Sequence, residues 1–174
     1  MSDAWIRRPT PLMTAGLVVL GLLLCRSWQP ASIEGGRRYR VHVKRVYDGD
    51  TFETVTGQRV RLLGIDAPEV AHGSQVAEPW SAESTEWLRS LVHQRDVVVE
   101  EGVVATDRYG RTLAWVYLPD GRLLSELALQ RGHARLLTRF GLPLLLEDRL
   151  ARAQQEARQQ GAGLWSNTRA KALH

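Results

Sequence analysis

The order of elements in this chain predicts an α+β fold, a small five-stranded β-barrel with three α-helices. Two observations carry that expectation. Short period-two runs separated by turn residues dominate the first part of the body, and longer runs with helical spacing close it. A helix also interrupts the strands after the third, an order that fits a barrel of the OB type. Periodicity alone leaves open whether the sheet closes.

Tyr39, Val41 and Val43 alternate with Arg40, His42 and Lys44, which reads as a half-buried strand. The apolar register then jumps to Val46, so a bulge is expected there. Thr51 to Val55 forms a second strand, Thr56-Gly57 turns, and Arg59 to Ile65 returns as a third. Ser81 to Val92 has helical spacing, with Trp80, Trp87, Leu88, Leu91 and Val92 on one face. Asp96 to Glu101, with three consecutive valines, and the β-rich Thr112 to Leu118 give two more strands. Pro119-Asp120-Gly121 turns the chain into a short helix, Leu123 to Arg131, stopped by Gly132. Pro143 to Gln160 is a longer helix, with Leu146, Leu150, Ala153 and Ala157 spaced to face a core. Gly161 and Gly163 end it.

The bulk numbers are compatible with this. A chain of 174 residues holds one domain with a real core, or one domain plus an appendage. Lys and Arg number 23 against 19 Asp and Glu, a net charge of +4. That surplus suits a polyanionic partner without demanding one. The single Cys25 excludes an intrachain disulfide and any multi-cysteine metal site.

The N-terminus differs in kind. Arg7 and Arg8 precede an apolar run from Leu12 to Cys25, broken only by Thr14 and two glycines and closed by Arg26. A basic flank before such a run reads as an export signal. It falls short of the roughly 20 apolar residues of a comfortable transmembrane helix. Extension from Pro9 to Trp28 spans a thin bilayer with snorkelling ends. No small-x-small cleavage pattern follows closely. Residues 1–28 are therefore expected to be an uncleaved signal-anchor, with a cleaved signal peptide as the alternative. A basic N-terminal flank places the body outside the cytoplasm. Residues 29–37, with Pro30, Ser32, Gly35 and Gly36, read as a linker. The domain proper is expected over 38–168, with a tail over 169–174.

Charged residues concentrate in Asp48-Gly49-Asp50-Thr51 and in Arg61-Leu62-Leu63-Gly64-Ile65-Asp66-Ala67-Pro68-Glu69. A later run, Asp107-Arg108-Tyr109-Gly110-Arg111, adds more. Asp-Gly between two strands is first a turn, with the glycine supplying positive φ. If the second and third strands pair about Thr56-Gly57, however, Asp50 lies beside Asp66. Two close carboxylates repel, and a cation or a proton relieves them. Oxygen-only ligands suit a hard ion such as calcium, and the lack of a His/Cys cluster argues against zinc. Arg61 and Arg111 are rim charges in the plain reading, and forks for phosphate oxygens in the functional one. Glu69 either solubilises its loop or holds an attacking water. Tyr109 contacts a phosphate or a base face, or is simply a surface tyrosine. His42, His72, His93 and His133 have no spacing of a shared site. The tryptophans read as structural or interfacial, with Trp165 pinning the C-terminal segment.

Taken together and in this order, the three motifs resemble the staphylococcal nuclease family. The likeness runs from about Tyr39 to Asn167 and includes the closing Gly163-Leu164-Trp165-Ser166. The resemblance implies an OB-fold barrel with three helices and calcium-dependent phosphodiester hydrolysis that leaves 3′-phosphate ends. It implies one Ca²⁺ held by Asp50, Asp66 and the backbone carbonyl of Ala67. Arg61, Glu69 and Arg111 match the family's catalytic positions, and Arg108 and Tyr109 match contacts to a substrate phosphate. Thr138 stands where well-studied members carry a tyrosine near the nucleotide, so base stacking there is expected to differ. The expected substrate is single-stranded DNA or RNA, acted on by a monomer without an obligate protein partner. The rival reading is a non-catalytic nucleic-acid or protein-binding module, since OB-type barrels often serve as one.

Overall fold

The computed structural model describes residues 32–73, 75–139 and 141–166. The expected signal-anchor, the start of the linker and the C-terminal tail lie outside the described residues. Among the described residues, no helix is long and apolar enough to cross a membrane.

Five strands close into a barrel, which answers the question periodicity left open. They are β1 (Arg38–Val46), β2 (Thr51–Thr54), β3 (Arg59–Leu62), β5 (Asp96–Thr106) and β6 (Thr112–Tyr117). Two shorter strands, β4 (Ile65–Asp66) and β7 (Arg135–Leu136), form a separate pair. Around the barrel the order is β1-β2-β3-β6-β5. Neighbouring strands are antiparallel except β3 and β6, which run parallel and seal the barrel. The expected bulge falls between Val43 and Arg45, where the register against β2 shifts. It lets both Val43 and Val46 turn inward. Phe52, Val60, Leu62 and Val99 fill the interior from the alternate positions of their strands. Full burial of Phe52 alone is worth about 2–3 kcal/mol.

Helix α1 (Ser81–Val92) packs Leu88 and Val92 into the core, with Trp87 and Leu91 partly buried against it. Helix α2 (Leu124–Gln130) and helix α3 (Leu144–Gln160) pack against each other. Leu146, Leu150, Ala153 and Ala157 are the buried face of α3, and Gly161 ends it in the left-handed conformation. A 3-10 turn, Gly163–Trp165, follows, with Arg158 over the Trp165 ring at 4.4 Å and the Leu164 N–H on the Gly132 carbonyl at 2.9 Å. Trp165 thus packs under α3, and the chain after Ser166 lies outside the described residues.

Three features depart from the sequence reading. The third strand does not run unbroken to Ile65. It stops at Leu62, turns through Gly64 at φ +75°, and the chain resumes as β4, paired with β7. A side chain at Gly64 would meet the Trp115 ring at 3.0 Å, so the turn needs glycine twice over. Second, β5 runs five residues past Glu101 as an arm on which Val103 and Val104 are exposed.

Third, the described end of the expected linker is part of the fold. The buried Glu100 carboxylate accepts hydrogen bonds from the Ser32 hydroxyl (2.6 Å) and the backbone N–H groups of Ile33 (2.7 Å) and Glu34 (3.1 Å). Glu34 in turn accepts from the Trp115 indole (3.1 Å) and the Val103 N–H (3.2 Å). The fold therefore includes the described residues 32–37 as a strap ahead of the expected start at 38. Its strap satisfies a carboxylate that would be costly to bury alone.

Candidate active site

Pairing of β2 with β3 sets Thr51 opposite Arg61, Phe52 opposite Val60 and Glu53 opposite Arg59. That register brings Asp50, just before β2, to the end of β3, where its carbonyl accepts from the Leu62 N–H at 2.9 Å. The Asp50 side chain is almost fully buried. Its Oδ2 takes the Ala67 N–H at 2.8 Å and lies 2.7 Å from Arg61 Nη1, while Oδ1 takes the Thr51 hydroxyl at 3.0 Å. Burial pushes the Asp50 carboxyl up to about 8; Arg61 pulls against that, and Asp48 adds repulsion. Asp48 itself closes the turn by accepting the Asp50 N–H at 2.9 Å.

Gly49 is not in a left-handed conformation, contrary to the sequence expectation. Its glycine is required for another reason. A Cβ there would stand 2.7 Å from the Ala67 Cβ and 2.8 Å from the Ser84 Cβ, where the Asp turn, the Ala67 loop and α1 converge.

Arg61 is not a solvated rim charge. Its side chain is 12% exposed and bridges the two aspartates: Nη1 to Asp50 at 2.7 Å and Nη2 to Asp66 Oδ1 at 3.0 Å. Nη1 also reaches the carbonyls of Leu62 and Ile65. One guanidinium thus gathers a buried and an exposed carboxylate at the mouth of the barrel. The two carboxylates on it offer oxygen ligands, which suit a hard cation, while the Ala67 group beside Asp50 is its N–H. Among the described residues no group of three or more His, Cys, Asp or Glu side chains converges as a ready cage. Any ion here would rely on two carboxylates, a carbonyl and water.

Arg111 comes from a different part of the chain. Parallel pairing sets Arg61 opposite Leu113 of β6, and Arg111 stands in the turn just before that strand. Asp107 fixes Arg111: Oδ2 takes its Nε–H at 2.7 Å, and Oδ1 takes the backbone N–H groups of Tyr109 and Arg111. Partial burial disfavours the Asp107 charge, but these donors outweigh it and hold the carboxyl below the usual range. Arg108 donates to the Tyr109 hydroxyl and lies over its ring at 4.8 Å; Arg111 lies 5.5 Å from the same ring. Tyr109 itself is exposed.

Glu69 is exposed on the loop after the buried Pro68, and its carbonyl accepts the Glu78 N–H at 2.9 Å, closing that loop. The structure thus joins Asp50, Arg61, Asp66 and Ala67 by direct contact. Arg111 precedes the strand that pairs with β3, and Glu69 stands on the loop after Ala67. Two residues escape the sequence reading. Asp107 lies inside a noted motif, and its spacing of four from Arg111 across Gly110 is the available signal. Arg135 pairs with Asp66 across β4 and β7 and leaves none.

A family model described as staphylococcal nuclease homologue matches residues 59–167. The chain is 37% identical over 132 residues to an uncharacterised endonuclease of Escherichia coli O157:H7, covering 72% of this chain and 76% of that protein. It is 32% identical over 151 residues to a micrococcal nuclease of Shigella flexneri (80% and 81% covered). A thermonuclease of Staphylococcus hyicus is 28% identical over 163 residues (90% and 95% covered). The matched span takes in β3 to β7 and all three helices, together with Arg61, Asp66, Glu69 and Arg111. The chain therefore belongs to the staphylococcal nuclease family.

Proposed function

We propose that this protein is a calcium-dependent nuclease that hydrolyses phosphodiester bonds of DNA or RNA and leaves 3′-phosphate ends. Family membership carries the coarser part: the chain is a nuclease, a hydrolase acting on ester bonds. The 3′-phosphate ends are what the family resemblance implies, and the observation that supports a cation and a phosphate meeting here is the bridge of Arg61 between Asp50 and Asp66. It concentrates negative charge for a cation and positive charge for a phosphate at one point.

In this reading the Asp50 and Asp66 carboxylates and the Ala67 carbonyl hold one calcium ion. Bound there, calcium supplies a Lewis acid toward a phosphoryl oxygen. Arg61 has more N–H donors than the acceptors around it use, and it offers the remainder to that phosphate. Arg111, held in orientation by Asp107, offers a second fork. The two stabilise the charge that accumulates as water adds to phosphorus and the 5′-oxygen leaves. Glu69 positions the water, whose proton passes to the carboxylate or to solvent, and the departing 5′-oxygen takes up a proton from solvent to leave as a hydroxyl. Arg108 and Tyr109 hold a neighbouring phosphate. An unpaired strand reaches so small a face more readily than a duplex, so single-stranded nucleic acid is the preferred substrate. The protein acts as a monomer. The basic flank and apolar run of residues 1–28 support export, with the barrel outside the cytoplasm, tethered or released by cleavage.

Digestion of denatured, end-labelled DNA by the full chain tests this. Cleavage with calcium, little with a chelator, and products bearing 3′-phosphate are expected. Digestion no faster with calcium than with chelator removes the calcium reading, and 3′-hydroxyl products remove the proposed leaving group.

A further inference from the structure

Beside the catalytic face runs a groove of about 440 Å³ that the proposed hydrolysis does not use. Glu78 and Trp80, before α1, line it together with Arg135, Leu164 and Ser166. Its size is that of a small-ligand site.

Two connections tie it to the candidate active site. Arg135 is the cross-strand partner of Asp66, so their side chains leave the same face of the β4–β7 pair. Asp66 is also the carboxylate that touches Arg61. The lining also includes Glu78, whose N–H closes the loop that carries Glu69. A strand lying across Arg61 and Glu69 therefore meets this groove as it leaves the site.

The lining has the chemistry of an unpaired nucleotide. Trp80, which lines the groove, is held at φ +76°, a conformation bulky side chains rarely adopt. Its indole N–H is buried without an acceptor among the described residues, while the residue as a whole stays partly exposed and lines the groove. Arg135 is half exposed, with a loose contact of 3.9 Å to Glu78. The guanidinium is thus available to a backbone phosphate. The Glu78 carboxylate repels a second phosphate and accepts from an exocyclic amine, which favours a base at that end.

We propose that this groove is a nucleotide subsite of the nuclease, placing one unpaired base against Trp80 and the adjoining phosphate on Arg135. The proposal rests on the nuclease reading and adds a length preference to it. The test compares a dinucleotide with a single-stranded 12-mer as substrates for the full chain. In the native protein kcat/KM is higher for the 12-mer. In Trp80→Gly, which keeps the backbone conformation, and separately in Arg135→Gln, the ratio of the two kcat/KM values falls by about tenfold, through KM rather than kcat. The half-exposed Arg135 is the variant that keeps the fold if Trp80→Gly does not. Ratios equal to the native one in both variants overturn the subsite while leaving the nuclease intact. A native chain that cleaves neither substrate overturns the nuclease reading, and the subsite with it.

Discussion

Arg61 serves two ends that can be separated. It neutralises a buried aspartate, and in the proposed mechanism it also receives a phosphate. Removing it leaves Asp50 without its cation in a place where burial already pushes the carboxyl up to about 8. Part of the resulting cost is relieved by protonation. Arg61→Gln is therefore expected to lower stability by about 1–3 kcal/mol, seen as a lower urea midpoint with unchanged slope. Nuclease activity should fall by about 100-fold or more. Adding Asp50→Asn to Arg61→Gln should recover most of the stability and none of the activity. Recovery of both together would mean Arg61 acts on turnover only by keeping the fold. The motif alone makes Asp50, Arg61 and Asp66 legible as a group. The bridging contacts are not legible in it, because they depend on a register and on a turn at Gly64 that no local pattern reports. Gly49 shows the same limit. The sequence marks a turn, but the reason for glycine is a close approach by Ala67 and by Ser84 on another element.

Among elements, those with several periods are the readable ones. Helix α1 begins and ends where its spacing predicts, and the buried face of α3 is the four residues expected. β4 and β7, at two residues each, are too short to have a period. The strap is hidden differently. Ser32, Gly35 and Gly36 have the composition of a linker, and the partner that orders the segment, Glu100, lies on a distant strand. A chain beginning at Ser32 should therefore be more stable than one beginning at Arg37, by roughly 2–3 kcal/mol, since the shorter chain leaves Glu100 without three donors. Urea denaturation of the two truncations measures this, and coincident midpoints would show that the strap lies on the barrel without supporting it.

For the whole molecule, acid stability is a sum in which two titratable groups, one buried and one half-buried, pull in opposite directions. His133 is stacked on Trp87 at 4.8 Å, and its Nδ1 is buried without a hydrogen-bond partner among the described residues. Burial, then the nearby Arg131, push its pKa down to about 4, with Glu83 opposing. The unfolded chain takes up this proton below about 6.5 and the folded chain does not, so His133 lowers stability as pH falls from 6.5 toward 4. Asp50 does the reverse. Its folded carboxyl holds a proton over a range where the unfolded one has lost it, so its contribution declines as pH rises from about 3.8 toward about 8. The two largely overlap, and the native curve alone separates neither. A difference does. His133→Phe keeps a ring on Trp87 and removes the titration. Between pH 7 and pH 4.5 the native protein should lose about 1–2 kcal/mol more than the variant, the full effect being reduced because the site is partly open to solvent. Urea unfolding of both proteins at the two pH values measures this. Parallel curves would mean that His133 gains its proton in the folded state as easily as in the unfolded one, and that the Trp87 stack does not keep it dry.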